Sequence, residues 1–334
     1  MKNRVLSAIL ISLFSVLIFA LSFALFAVSV PSRGKSGEVL IEIPQGSGLN
    51  KIAALLEEGG AIRGQLRFKL LAKLLGVARV LKYGEYQFKL PATPLALLKK
   101  MARGDVVAFL ITFPEGSTIF DVAHTIDSAG LCPGPSILGK ATDAKFSAAL
   151  GIAGASLEGY LFPETYKFNR GSSPETILKR MVDRFNRLFD RAMARQAEKL
   201  GLSKTDVVII ASLVEKETAA SSEKSLVAAV FLNRLKKGMR LDCDPTVIYS
   251  LRLENPAFNE RLTKTHLRKP GPYNTYVNYG LPPGPICSPG IDSIRAVLNP
   301  APVKHLYFVS KNDGTHFFSE TLPEHNVAVN KYQR

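Results

Sequence analysis

Cysteine and histidine are scarce in this chain, and neither is arranged for metal chemistry. The three cysteines in 334 residues, Cys132, Cys243 and Cys287, form no CxxC pair and no zinc spacing. An odd, scattered set gives no disulfide framework and no structural metal site. The five histidines (His124, His266, His305, His316 and His325) include no pair at i, i+4, which argues against a metal hydrolase. Nucleic-acid recognition motifs are also missing, and the basic residues are spread along the chain. The formal charge of +15 therefore suits a basic solvated surface, an anionic headgroup layer or an acidic cell-wall polymer better than DNA or RNA.

Charge is absent altogether from one long stretch, Val5 to Ser32. A bilayer core needs roughly 20 apolar residues as a helix, and this run exceeds that. A secretory signal has a shorter apolar region of about 7–15 residues, so an uncleaved anchor is expected, although Ala27 and Ser29 offer small residues at which a signal could be cut. Lys2 and Arg4 precede the span and Arg33 and Lys35 follow it, so charge alone does not orient it. A short leading tail and a large following body imply that the body is exported.

Length leaves room for about two domains beyond the anchor. Leu40-Ile-Glu-Ile-Pro-Gln-Gly-Ser47 resembles Leu110-Ile-Thr-Phe-Pro-Glu-Gly-Ser117, seventy positions on. Each copy runs into a helical apolar pattern that Gly60 or Gly130 closes at the same offset. The repeated unit reads as a strand, a turn whose serine is placed to cap, and a helix. This start resembles a LysM module, which implies N-acetylglucosamine polymers as a ligand; plain scaffold is the alternative. The expected architecture is α+β. Residues 1–36 form tail, anchor and linker, 37–150 a LysM-like region with the duplicated unit, and 157–334 a mixed α+β catalytic domain. Within the last, helices are expected at about 174–200, 204–218 and 222–237.

The chemistry concentrates at the end of the apolar run Val207-Val-Ile-Ile-Ala-Ser-Leu-Val-Glu-Lys-Glu-Thr218. A carboxylate beside such a run is partly desolvated, which raises its pKa toward what a general acid needs. At about 100° per residue, Glu215 shares a face with Val208, Ala211, Ser212, Thr218 and Ala219, a stripe of mostly small side chains. Glu217 lies with Ile210, Leu213 and Val214. A small-residue face permits close approach by a substrate. Glu215 is thus the candidate catalytic acid and Glu217 the structural neighbour. Three further segments carry polar and aromatic residues on proline-stiffened loops, as a hydroxyl-rich ligand requires. From them Glu158, Tyr160, Tyr166, Asp244, Thr246, Asn274 and Tyr276 are candidate substrate contacts.

The segments LEGYLFPETY, ASLVEKET, VFLNRLKKGMRLDCDPTVIY and YNTYVNYGLPPGPI, in that order, resemble the YceG-like family of endolytic murein transglycosylases. The resemblance covers nearly the whole chain. It implies a single-pass protein of the bacterial inner membrane, with the N-terminus cytoplasmic and the catalytic domain periplasmic. That domain cleaves peptidoglycan glycan strands internally and so terminates their elongation, with peptidoglycan synthases as partners and no cofactor. The resemblance also assigns the catalytic glutamate to the first Glu of the EKET motif, Glu215. Cys243 and Cys287 depart from the commoner pattern, which has Thr before the Asp-Pro and Asn before the Pro-Gly.

One glutamate is enough for such a reaction. It protonates the oxygen between N-acetylmuramic acid and N-acetylglucosamine, then takes the proton of the muramic acid 6-hydroxyl as that group closes on C1 to give a 1,6-anhydro end. Ordinary glycosidases need two carboxyl groups. A hydrolytic muramidase is therefore one alternative, with Glu158, Glu164 or Asp244 as the second. A membrane-tethered, non-catalytic glycan-binding or scaffolding protein is the other.

Overall fold

The computed structural model describes residues 11–19, 22 and 36–333. Residues 11–19 form helix α1, exposed throughout and almost wholly apolar. Most of the candidate anchor lies outside the described residues. Among those described, no helix is long and apolar enough to cross a membrane.

The chain divides into two compact units, one running to Phe109 with Lys167–Gly171 added, the other Leu110–Tyr166 with Ser172–Arg334. In the first, β1 (Gly37–Ile43) pairs antiparallel with β2 (Gly84–Leu90), Ile41 facing Tyr86. Alternation sends Ile41, Ile43, Tyr86, Phe88 and Leu90 into one core. That core is closed by α2 (Leu49–Glu58), α3 (Gln65–Leu74) and α4 (Pro94–Arg103) through Ile52, Leu56, Phe68, Leu71, Leu97 and Met101. Strand β3 (Ala108–Thr112) pairs with β4 (Thr165–Asn169), and the division falls within both strands.

The two copies of the repeated unit fall in different units, whereas the sequence placed the boundary after the second copy. The reason is packing: α5 (Ile119–Ser128), the second copy's helix, packs on α6 (Gly134–Ala141), which in turn packs on α8 (Pro174–Leu188). Both copies keep the same turn. Gly46 and Gly116 take positive φ of 78° and 77°, and Gly60 and Gly130 take 76° and 64° past the helix ends. The serine does not cap either helix. Gly48 is the N-cap of α2, and Thr118 caps α5 in a capping box with Asp121. Ser47 and Ser117 instead close the turn, each N–H donating to the proline carbonyl three residues back.

The second unit continues through α7 (Ala144–Ala149), α9 (Arg191–Lys199), α10 (Lys204–Glu217), α11 (Lys224–Lys236), α12 (Asp244–Glu254), α13 (Lys264–Arg268) and α14 (Ile291–Leu298). It ends in the hairpin β5 (Tyr307–Ser310) and β6 (His316–Ser319), covered by α15 (Leu322–Tyr332). The helix expected over 174–200 is two, because Asp190 accepts from the N–H groups of Ala192 and Met193 and starts α9 afresh. Helix α10 is the centre of this unit. Val207 to Val214 are all buried, and α11, α12 and α14 pack around them. An α-helix that is apolar all round must be buried.

Candidate active site

Helix α10 begins in a capping box, Ser203 with Asp206, and ends where Thr218 turns to extended backbone. Its last turn therefore delivers Glu215 and Glu217 into the protein. A helix C-terminus is a poor place for anions, so each carboxyl needs its own compensation. They find different ones.

Glu215 is held in a closed ion-pair network. Lys224 Nζ lies 3.2 Å from both of its oxygens. Oε2 also accepts from the Gly290 N–H at 2.9 Å and from Ser293 Oγ at 2.6 Å. The Lys224 and Glu215 side chains are only 5% and 8% exposed. Glu115, from the Pro-Glu-Gly-Ser turn, sits on the other side of Lys224 at 3.8 Å. Burial, then the neighbouring charge of Glu215, pushes the Glu115 carboxyl up. The small-residue face that was expected to admit substrate is covered by the chain itself. Ser212 Oγ accepts from the Ile286 N–H at 3.1 Å, and Cys287 Sγ lies 3.4 Å from the Ser212 carbonyl. Glu215, expected from the sequence to meet substrate, is thus engaged by Lys224, Gly290 and Ser293 of its own chain.

Glu217 lies at the wall of a cavity of about 610 Å³, bounded by α11, α12, the β5–β6 hairpin and α15. Burial pushes its carboxyl up to about 7. The hydrogen bond donated by Cys243 Sγ to Oε1, at 3.0 Å, works against that rise, as do the positive charges of His316 and Arg234, while Asp244 adds to it. The Cys243 thiol is itself pushed well up by burial, so it remains a donor. A carboxyl that holds its proton near neutrality is equipped to give it away.

Two of the expected substrate contacts join Glu217 at this cavity. Asp244, the first residue of α12, accepts a 2.6 Å hydrogen bond from the Tyr276 hydroxyl, and both line the wall. Thr246 and Asn274 lie behind it. Thr246 Oγ1 donates to the Cys243 carbonyl at 2.6 Å, and Asn274 Nδ2 donates to the carbonyls of Leu267 and Lys269. They brace the loops and are fully buried.

The other three are not brought there. Tyr160 packs edge-on against Phe185 in the core, and the Tyr166 hydroxyl is spent on the Phe162 carbonyl at 2.7 Å. Glu158 accepts from the N–H groups of Ile119 and Gly159 and from the Tyr249 hydroxyl. Burial raises it to about 7 as well, but it is 1% exposed and encloses the start of α5. Glu164 is locked to Arg184 by two 2.7 Å bonds.

Besides Glu217, sequence reasoning missed Arg234, Asp242, Tyr307 and His316, all on the cavity wall. Arg234 donates to the carbonyls of Leu306 and Leu241 and to Asp242, and its guanidinium lies 5.2 Å from the Tyr307 ring centre. His316 Nδ1 pairs with Glu223 at 2.7 Å. The Asp-Cys-Asp sequence was the available signal, since it places two carboxyls either side of the thiol that reaches Glu217.

A buried helix thus ends in a protonatable carboxyl at the wall of a cavity that Tyr276 and Tyr307 also line, in a mixed α+β protein. The YceG-like family profile matches residues 41–331, and the chain belongs to that family. Among its relatives is the endolytic murein transglycosylase of Bacillus subtilis, 33% identical over an aligned length of 310, with 88% of this chain and 84% of that protein covered. The endolytic murein transglycosylase of Streptococcus pneumoniae is 29% identical over 321 residues, and there the match spans 58% of the relative's length. The crystal structure of a YceG-like protein from Listeria monocytogenes superposes with a TM-score of 0.60 at 31% identity, covering 87% of this chain and 98% of that one.

Proposed function

We propose that this chain is an endolytic murein transglycosylase in which Glu217 is the acid and then the base. The observation that carries the assignment is the Glu217 carboxyl, held near pKa 7 by burial at the wall of the cavity. Relatives in Bacillus and Streptococcus bear that name, and the family covers most of the chain.

In the reaction Glu217 gives its proton to the oxygen joining N-acetylmuramic acid to N-acetylglucosamine, and the bond from muramic C1 to that oxygen breaks. The muramic 6-hydroxyl oxygen closes on C1 and loses its proton to Glu217, which is thereby reset. No water is consumed, and the end formed is 1,6-anhydro-N-acetylmuramic acid. Tyr276 offers a face for a sugar ring, whereas the Tyr307 ring is taken up by the Arg234 guanidinium and by stacking on His325. Cys243 fixes the Glu217 carboxyl from behind.

A hydrolytic muramidase remains the second reading, because Asp242 and Asp244 share the cavity with Glu217. Two carboxyl groups flanking the bond are what a hydrolase uses. Asp244 is engaged by Tyr276 and Asp242 by Arg234, which leaves neither free to activate water. Digestion of purified peptidoglycan, with mass spectrometry of the new ends, separates the two. Anhydro ends support the proposal and reducing ends the hydrolase; binding without cleavage supports a scaffold.

The uncharged run Val5 to Ser32, of which α1 presents Ile11, Phe14, Leu17 and Phe19 to the exterior, is proposed as a single-pass anchor in the inner membrane. The N-terminus is then cytoplasmic and the body periplasmic, where internal cuts near the membrane would end strand growth beside the peptidoglycan synthases. The duplicated strand–turn–helix unit is proposed to hold glycan in the manner of LysM modules.

A further inference from the structure

Next to the Glu217 cavity is a second depression of about 480 Å³, lined by Arg240, Lys264, Leu267, Arg268, Tyr276 and Val277. It has three cations and no acid in its wall. Lys264 and Arg268 make no ion pair with an acid among the described residues, and Arg240 has a long contact of 3.9 Å to Asp242 and lies 5.5 Å over the Tyr279 ring. The rest of the lining is Leu267, Val277 and Tyr276. Cations without acid partners beside such side chains suit an anion carried on an organic stem better than a bare ion.

The wall is also held in place. Asn274 ties both ends of the Leu267–Lys269 segment to the loop that carries Tyr276, and Asn278 Nδ2 donates to the Gly271 carbonyl at 2.7 Å. Tyr276 belongs to both cavities, with its hydroxyl on Asp244 on the catalytic side. A glycan seated at Glu217 therefore has its substituents one tyrosine ring away from the cations. In murein those substituents are the peptide stems on the muramic lactyl group, and they end in carboxylates.

We infer that Arg240, Lys264 and Arg268 form a subsite for the stem-peptide carboxylates of the strand being cut, so that the protein discriminates in favour of glycan that still carries its peptides. This rests on the function proposed above, and its test is separable from it. The full-length Glu217→Gln protein, in detergent micelles, is titrated with fluorescent glycan strands bearing stems and with the same strands stripped by an amidase. Tighter binding of the stem-bearing strands is expected. Contacts between exposed charges are individually weak, so adding Lys264→Glu and Arg268→Glu should lower affinity for stem-bearing strands about tenfold and erase the preference. The milder pair Lys264→Gln and Arg268→Gln should shift it the same way, and Lys264→Arg with Arg268→Lys should keep it. An unchanged preference, or equal weakening toward both kinds of strand, overturns the inference. So does loss of binding to phosphatidylglycerol vesicles with the stem preference intact, which would assign the cations to lipid. Because binding needs no turnover, a failure of the catalytic proposal appears separately, as wild-type protein that binds strands and releases no anhydro ends.

Discussion

Glu217→Gln should make the protein more stable at alkaline pH while disabling it. Burial pushes the native carboxyl up to about 7, against the ordinary glutamate value of 4.5 in the unfolded chain. Between those values the native state keeps a proton that the unfolded state has released. Stability contributed by the protonated group is therefore complete below the unfolded pKa and is lost as pH rises through the native one. Integrated over that gap, the penalty above neutrality comes to about 3 kcal/mol. Glutamine cannot ionise and keeps an oxygen for the Cys243 thiol, so it escapes the penalty. The stability difference between variant and wild type should widen by about 2–3 kcal/mol between about pH 5 and about pH 8. Glu158 carries a similar penalty, but it is present in both proteins and cancels. Denaturant unfolding of the two proteins at both pH values measures the difference. A gap that does not change with pH would refute the claim that burial holds Glu217 protonated.

Removing Glu215 should act through the fold. Glu215→Ala leaves Lys224 buried beside only Glu115, and breaking a buried pair costs about 3–5 kcal/mol, readable as an earlier unfolding transition at any pH where both groups are charged. Cys243→Ala removes the donor that restrains Glu217, so the alkaline limb of the cleavage rate should move to higher pH, whereas Cys243→Ser should stay close to wild type. Gly159 has φ of 83°, and an added Cβ would clash with Cβ and Cγ of Pro285. Gly159→Ala should therefore cost about 2–4 kcal/mol from left-handed strain and overpacking, seen in the same unfolding assay.

Much of this architecture can be read from local pattern. The run Val207 to Val214 announces a buried helix, and Ser203 with Asp206 marks its start. The turns of the duplicated unit follow from their glycines. What local pattern misses is coverage by distant chain. A helical wheel separates Glu215 from Glu217 correctly but does not say which face is open. The segment from Ile286 to Gly290, some 75 residues further on, seals the small-residue face, and the β5–β6 hairpin and α15 wall the cavity on the other. Small side chains at 211 and 212 thus admit a loop of the same protein in place of a sugar. Asp244 and Tyr276 were identifiable because proline fixes their loops at the cavity. Tyr160 and Tyr166, equally aromatic and equally near prolines, are core, and only packing distinguishes the two cases.

The most direct test of the central claim is the rate at which folded protein releases anhydro-muramic ends from purified murein, compared for Glu217→Gln and Glu215→Gln. Loss of a general acid slows such a step by about 10²–10⁴-fold. That loss is predicted for Glu217→Gln, with Glu215→Gln retaining most of the wild-type rate per folded molecule and the wild-type rate declining as pH rises through about 7. A folded Glu217→Gln protein that still cleaves, beside a folded Glu215→Gln protein that does not, would contradict the account.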